Sequence, residues 1–577
     1  MSEIDKQVNN QLLEFHMHDN KLFTIDEYST ILKKLAPKKS DGQAGLFSDH
    51  LINGSKRFHV LIVRLVNAMM IHGVVPEEMN SSVMLPIVKN NDSNNFRAVC
   101  LQSALCKLLD LLILNKEKNC LITSELQFGF KAEHSSSLAT SVLLEVVDYY
   151  LENSGVVYGM ALDASKAFDR VEFGSLFALL LKRGINPMFI RMLCKMYTTQ
   201  NVCVRYNSSV SEWFQPCNGV KQGGVLSPTL FSVYINGMIE ELVNAKVGCH
   251  VGSKYYGIIG YADDIMLIAP TQYSMNRMIN ICEEYARKYK ILFNGKKSKV
   301  IVFDKNDLNV KPLFKVNDQG VECVKELNYL GHMINNDRRD PLVGYVVKDF
   351  TRKFNSFIGD LDQISSVVKG KLFMQYCTSL YGVVICNSVD KNIDRLSIAW
   401  RKAMRRVFKL PPRAHSKLLP HIAEILPADL TVYLRTLGHI CKGMDHKNSS
   451  VNYIFNVSIF NPSSILGNNF KHICHRYKIS KSSNYLNMKN CIMKCYNSSI
   501  DEENIRTGKQ IRQLIDVRDS VLYEDFNFHI MRSKISLSIY VLARSVTYVY
   551  GTKVVPLLPL FFLFLILFLI FIVFNLC

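Results

Sequence analysis

The sequence predicts a chain of mixed α and β elements, in which short apolar strands end in acids and longer amphipathic stretches form helices. Tyr158 to Asp163 is a mostly apolar strand closing on a carboxylate. Tyr255 to Ala269 is a β-hairpin, apolar on both arms, with Asp263 and Asp264 at its tip. Thr229 to Val243 is helical, introduced by Gly223 and Gly224, with Ser227 or Thr229 as the cap and Pro228 near the first turn.

Each element carries chemistry. Two adjacent carboxylates repel one another, and burying them is costly unless cations neutralise them. A pair of Mg²⁺ ions would do so, and two-metal sites serve in-line displacement at phosphorus. Taken alone, Asp263-Asp264 reads equally as an acidic turn, since Asp is common in turns. Asp163, at the end of a second apolar strand, favours the metal reading. After it, Ala164 to Val171 reads as a turn leading into a helix. Between the two acidic strands lies Gly219 to Pro228, whose paired glycines let a backbone approach a ligand closely.

These blocks resemble reverse transcriptase motifs A, B and C in order and spacing. "LDASKAFDRV", "GVKQGGVLSPTLFSVYIN" and "YADD" are similar to the wording of non-LTR (LINE-type) retrotransposon reverse transcriptases. "PIVKNNDSNNFRAV" (Pro86 to Val99) resembles the fingers motifs, and "QFGF" (Gln127 to Phe130) the segment ahead of motif A. "NGKKSKVIVF" (Asn294 to Phe303) resembles motif D, and "LNYLGHMI" (Leu327 to Ile334) the primer grip. "WRKAMRRVFKLPPRAHSKLLP" (Trp400 to Pro420) is similar to a thumb signature, and the likeness covers roughly residues 20 to 420.

The resemblance implies an α+β right-hand polymerase: a palm with an antiparallel sheet covered by helices, mostly helical fingers and thumb. To these the sequence adds a C-terminal apolar helix. The expected organisation is an N-terminal extension (1–45), fingers with the first palm helices (46–155), palm (156–335) and thumb (336–425). A region of unknown role (426–553) and the apolar segment (554–577) follow.

Residue by residue, the resemblance makes Asp163, Asp263 and Asp264 the metal ligands. One Mg²⁺ would activate the primer 3′-hydroxyl and the other would stabilise the leaving pyrophosphate, with Mn²⁺ as a substitute. Asp264 is the less direct ligand, and Asp169 is expected to be structural. Phe168 takes the place of the steric gate that excludes a 2′-hydroxyl; without the motif it would read as a core phenylalanine. Arg97 resembles the fingers arginine on the triphosphate, with Lys89 as its partner. The departure from the family is Ala98, where proline usually follows. Gln222 and Gly223 correspond to the residues beside the dNTP and template base. Lys297 is the candidate general acid for pyrophosphate, with Lys296 and Lys299 as competitors. Tyr329, Leu330 and Gly331 belong to the primer grip.

The chain has 577 residues, a formal net charge of +19 and a pI of about 9.1, a basic excess that suits a phosphate backbone. Arg401, Lys402, Arg405, Arg406 and Lys409 share one helix face opposite Trp400, Met404 and Val407. Either this is a thumb helix tracking a duplex or a solvated basic face; its place after the primer grip favours the first. The expected partners are an RNA template, a DNA primer and dNTPs. Sixteen cysteines with no signal peptide read as reduced thiols of an intracellular protein. His472, Cys474, His475, Cys491 and Cys495 fit no compact zinc spacing, so no zinc is expected.

No endonuclease constellation is recognisable, so a nick from elsewhere is expected. Val554 to Cys577 is long and apolar enough to span a bilayer, with Arg544 and Lys553 before it. The expected location is therefore nucleus or cytoplasm, or a membrane reached by a single C-terminal pass. Read-through of a degenerate element into apolar-coding sequence explains the tail equally well. Beside the RNA-directed DNA polymerase stand two other readings: a catalytically silent, nucleic-acid-binding relic, and a two-metal nuclease. The nuclease leaves the QGG segment and the fingers block unexplained.

Overall fold

The structure, a computed structural model, describes residues 22–39, 45–89, 92–153, 155–304, 312–337, 342–359, 366–389, 391–408, 410, 412, 416, 419–420, 425–461, 463–480 and 484–507. The described residues divide into two compact units. The larger lies within Met1–Lys348, Leu380–Leu396 and Ala428–Ile492; the smaller lies within Asp349–Ser379, Ser397–Pro427 and Met493–Cys577.

The larger unit begins with helices α1 (Ile25–Leu32) and α2 (Lys56–His72). Strands β1 (Ser81–Lys89) and β2 (Asp92–Leu101) follow, then α3 (Ala104–Lys116) and α4 (Ser136–Asn153). Next come β3 (Val156–Asp163), α5 (Phe173–Lys182), α6 (Pro187–Thr198), β4 (Asn201–Tyr206), β5 (Ser209–Val210) and α7 (Ser227–Ala245). A hairpin follows, β6 (Ile258–Tyr261) and β7 (Asp264–Ala269), then α8 (Gln272–Lys288) and β8 (Lys299–Asp304). Then come β9 (Glu322–Val324) and a second hairpin, β10 (Glu326–Tyr329) and β11 (His332–Asn335).

The palm sheet runs β9-β8-β3-β7-β6. It is antiparallel, as expected, except at its edge, where β9 lies parallel to β8. The central strands are apolar on both faces: Val157, Met160 and Leu162 of β3 and Ile265 to Ala269 of β7 are buried. α4 is buried from Leu138 to Asp148, acids included. Those acids serve another helix. Glu145 accepts from the Ser464 hydroxyl and the Leu466 N–H, and Asp148 from the Ile465 N–H, so both sit where a helix N-terminus favours negative charge.

A second sheet forms apart from this one. β1 and β2 pair antiparallel, β4 lies parallel to β1, and β5 closes a four-stranded sheet ordered β2-β1-β4-β5. The motif A turn makes only a 3₁₀ turn, Ala167–Arg170, before α5.

In the smaller unit, Phe350 and Phe354 of α9 (Val343–Ile358) pack edge-on against Phe373 of α10 (Ser366–Tyr376). α11 (Asn392–Val407) buries Trp400, Met404 and Val407 and leaves Lys402 and Arg406 exposed and Arg401 and Arg405 half-buried, as its periodicity predicts. Lys409 lies outside the described residues. Arg405 donates to the Ser416 hydroxyl at 2.8 Å, and Arg406 lies over the Phe354 ring at 5.2 Å.

The region read as having no known role supplies α12 (Ala428–Met444), α13 (Ser449–Ser458) and α14 (Ile465–Arg476) to the larger unit. His439 of α12 bonds Ser141 of α4, and the Tyr256 hydroxyl donates to the Ser450 carbonyl. Cys474 is buried in α14, while Cys491 and Cys495 are exposed on α15 (Tyr485–Thr507). Among the described residues, no helix is long and apolar enough to cross a membrane. The expected apolar helix at 554–577 lies outside the described residues.

Candidate active site

The sheet register brings the acids to one place. In the β3–β7 ladder Asp163 stands directly across from Asp264, and the β6–β7 turn carries Ala262 and Asp263. Residues opposite one another in an antiparallel ladder have Cα atoms about 4.5–5.5 Å apart, and like charges so placed repel. Asp163 and Asp263 are half-buried and Asp264 is exposed, so all three reach solvent at one end of the sheet.

Two braces that the sequence reading did not identify hold these acids. Gln127, wholly buried, accepts from the backbone N–H groups of Ala262 and Gly129, each at 2.9 Å. Ala262 is left-handed (φ 58°), an uncommon conformation for alanine, and this bond helps to hold it. A Cβ on Gly129 would stand 2.4 Å from the Ala262 nitrogen, which is why "QFGF" needs its glycine. The second brace is the turn Asn294–Ser298. The Ser298 hydroxyl accepts the Asp163 N–H, and the Asn294 N–H donates to the Asp163 carbonyl.

The QGG loop is tied to its neighbours on three sides. Gly219 and Val220 donate to the carbonyls of Val171 and Phe168 in the motif A turn. Gln222 gives its side-chain amide to Asp169 at 3.0 Å, and its carbonyl accepts the Cys100 N–H of β2 at 2.7 Å. Gly223 (φ 100°) passes so close to β2 that a Cβ would stand 2.9 Å from the Cys100 carbonyl. Neither expected cap is used: α7 starts after Leu226 with no side-chain cap. The amides just ahead of it, those of Val225 and Leu226, donate to Asp110 of α3. Burial pushes the Asp110 carboxyl up to about 6, while the Lys221 ammonium opposes the rise.

Phe168 is half-buried rather than a core residue. Its ring stacks on Phe231 of α7 (4.5 Å between centroids, 18° apart) and meets Phe130 edge-on at 6.5 Å. On the fingers hairpin, Arg97 is exposed on β2 opposite Ile87, and Lys89 ends β1 paired with Asp92. Lys299 is engaged with Glu322, which leaves Lys296 and Lys297, both exposed, as the free-standing lysines of that turn.

The β10–β11 hairpin packs against the β6–β7 hairpin. Tyr329 is 3% exposed and its hydroxyl donates to the Ile259 carbonyl of β6 at 3.3 Å. Burial, with the nearby Asp264 carboxylate, drives its phenol well above the usual range. The Tyr329 side chain is thus turned into the sheet and does not face solvent, and Leu330 and Gly331 form the turn between the two strands.

Asp163, Asp263 and Asp264 offer only hard oxygen donors, the kind Mg²⁺ takes. Among the described residues, no group of three or more His, Cys, Asp or Glu side chains stands ready as a metal cage. Mg²⁺ commonly binds one or two carboxylates plus substrate phosphates, so the donor set fits in kind without such a cage.

A palm sheet with acids at its central strand ends, faced by a glycine-rich loop and a strand hairpin, defines a polymerase fold. Residues 87–334 match the family described as reverse transcriptase (RNA-dependent DNA polymerase). This match and the relatives that follow make the chain similar to the reverse transcriptases of retrotransposable elements. The RNA-directed DNA polymerase from mobile element jockey of Drosophila funebris is 22% identical over 417 residues, covering 67% of this chain and 44% of that protein. The Pol polyprotein from the type-2 retrotransposable element R2DM of Drosophila melanogaster is 24% identical over 223 residues, covering 38% of this chain and 21% of its own length. The chain thus spans less than half the length of these relatives. Among solved structures, telomerase from Candida albicans, in complex with a fragment of telomeric RNA, covers 73% of this chain and 66% of its own. Identity is 12% and the TM-score 0.35, too low to bear on function.

Proposed function

We propose that the chain is an RNA-directed DNA polymerase that adds dNTPs to a primer 3′-end by nucleotidyl transfer. The observation that carries this is the Asp163–Asp264 register, with Asp263 in the adjoining turn, at the solvent end of a buried sheet. An RNA template, a DNA primer and dNTPs are the substrates this reading requires; the preference for RNA rests on the family.

Divalent ions bound by Asp163, Asp263 and Asp264 would neutralise the triphosphate and lower the pKa of the primer hydroxyl. Arg97 and Lys89 receive the triphosphate from the fingers side, Arg97 by its bidentate fork. Phe168 lies under the sugar, where its ring leaves no room for a 2′-hydroxyl. Gln222 and Gly223 present the loop surface to the new base pair. Lys297 delivers a proton to the departing pyrophosphate. Leu330 and Gly331 hold the primer terminus, and Arg401 and Arg405 of α11 contact the duplex backbone.

The test is primer extension on an RNA template with the full chain and Mg²⁺, beside Asp263→Ala. Incorporation that disappears in the variant supports the polymerase. A folded chain that binds template–primer without extending it would leave the silent relic as the better reading.

A further inference from the structure

The turn between β10 and β11 is held in a conformation its sequence does not favour. Leu330 and Gly331 both lie in the left-handed region (φ 53° and 79°), which is natural for glycine and costs leucine about 1–2 kcal/mol. Such a turn needs an outside support, and Tyr381 provides one. Its hydroxyl donates to the Leu330 carbonyl at 2.8 Å and lies 2.7 Å from the Ser136 hydroxyl at the start of α4. The single phenolic proton is committed to Leu330, so Ser136 is the donor in the second bond.

The rest of the neighbourhood is shaped to this contact. The Tyr381 ring lies parallel to the imidazole of His332, with centroids 4.5 Å apart and planes 3° apart. His332 is buried, which lowers its pKa to about 4 and keeps it neutral at ordinary pH, and its Nε2 is 3.3 Å from the Ser137 hydroxyl. Gly382 (φ 79°) has no room for a side chain, because a Cβ would meet His332 Nδ1 at 2.8 Å. A Cβ on Gly331 would stand 3.3 Å from the Tyr381 ring. The turn is therefore fixed from beneath through Tyr329 to β6, and from the side through Tyr381 to α4.

Resting on the reading that Leu330 and Gly331 hold the primer terminus, we propose that Tyr381 is a positioning residue that sets the primer 3′-end over the catalytic acids. It touches neither substrate nor metal. It acts by fixing the Leu330 carbonyl and the plane of His332, so that the turn keeps one height relative to the β6–β7 hairpin. Tyr381 is 48% exposed, so removing its hydroxyl costs the core little.

The experiment is steady-state extension of a DNA primer on an RNA template by the full chain, comparing Tyr381→Phe, Ser136→Ala and the double variant. Tyr381→Phe is expected to lower kcat about five- to tenfold, the loss of one well-placed hydrogen bond. The KM for dNTP, the Kd for template–primer and the Tm should stay within about twofold or a few degrees. Ser136→Ala should lose less, and the double variant should be no worse than Tyr381→Phe, because both act through one hydroxyl. Full additivity, an unchanged kcat, or a loss confined to Tm and duplex affinity would each overturn the assignment. No extension by the unsubstituted chain would show instead that the polymerase reading itself fails, and the assignment with it.

Discussion

The Ser298 hydroxyl accepts the backbone N–H of Asp163 at 3.1 Å and donates its own proton to the Asn294 carbonyl at 2.8 Å. Asp163 thereby has both backbone groups tied to one turn, since the Asn294 N–H reaches its carbonyl at 2.9 Å. The acid ends a strand, where ladder pairing stops and the backbone would otherwise be free to drift.

Ser298→Ala should therefore misplace Asp163 more than it unfolds the chain. Leaving one buried N–H unpaired costs about 1–3 kcal/mol. The expected result is a kcat lower by about tenfold with a Tm lower by a few degrees. A Tm shift with unchanged kcat would mean that the turn supports the sheet and does not tune the acid.

The catalytic turn makes a sharper demand at Gly129. A methyl there would press on the Ala262 nitrogen at 2.4 Å, where the neighbour is backbone and cannot swing aside. Gly129→Ala should abolish extension and displace the Gln127 bonds to Ala262 and Gly129. Gln127→Met keeps the volume but removes the acceptor, at a cost of about 2–6 kcal/mol for two buried N–H groups. Thermal unfolding beside primer extension checks both. Wild-type rates in Gly129→Ala would refute the close approach.

The acids were legible because their chemistry is written in residue type: carboxylates at the ends of apolar runs are rare and costly. The glycines of the QGG loop were legible for a similar reason. Gln127 and Ser298 were not, since each acts as a neutral acceptor for a backbone N–H 135 residues away, and such a pairing leaves no local pattern. The burial of the Tyr329 side chain is not legible in the sequence, because alternation along a four-residue strand does not tell which face is covered. The sheet β2-β1-β4-β5 is not legible in the sequence, because β4 joins it from far along the chain, beside β1, in a parallel pairing that no hairpin signal announces. The smaller unit's basic helix was readable from its periodicity alone.

Phe168 offers a test of substrate choice rather than of rate. Its ring is held flat on Phe231 and edged by Phe130, so its height under a sugar is set by packing. Phe168→Ala should open that space and lower discrimination between dNTP and rNTP about tenfold to a hundredfold, with extension by dNTP less affected. The ratio of kcat/KM for dATP and ATP on one template measures it. An unchanged ratio would return Phe168 to the role of an ordinary packing residue.

Asp110 links the loop to pH. Its carboxylate accepts the amides of Val225 and Leu226, and burial raises its pKa from 3.8 to about 6 against the opposing Lys221 ammonium. A carboxyl whose folded pKa is raised favours the folded state in its protonated form. That contribution is complete below the unfolded value near 3.8 and is lost as pH rises through about 6. Asp110→Asn keeps the shape and an acceptor oxygen but cannot titrate. The wild type should therefore lose stability relative to the variant as pH rises from 4 to 7, read as the difference between their Tm values. At pH 7 the variant also leaves Lys221, buried over the Tyr197 ring, without its nearby carboxylate, so extension should fall even where Tm does not. A pH-independent difference in Tm would show that Asp110 keeps one protonation state across this range, and that the loop is held by its hydrogen bonds alone.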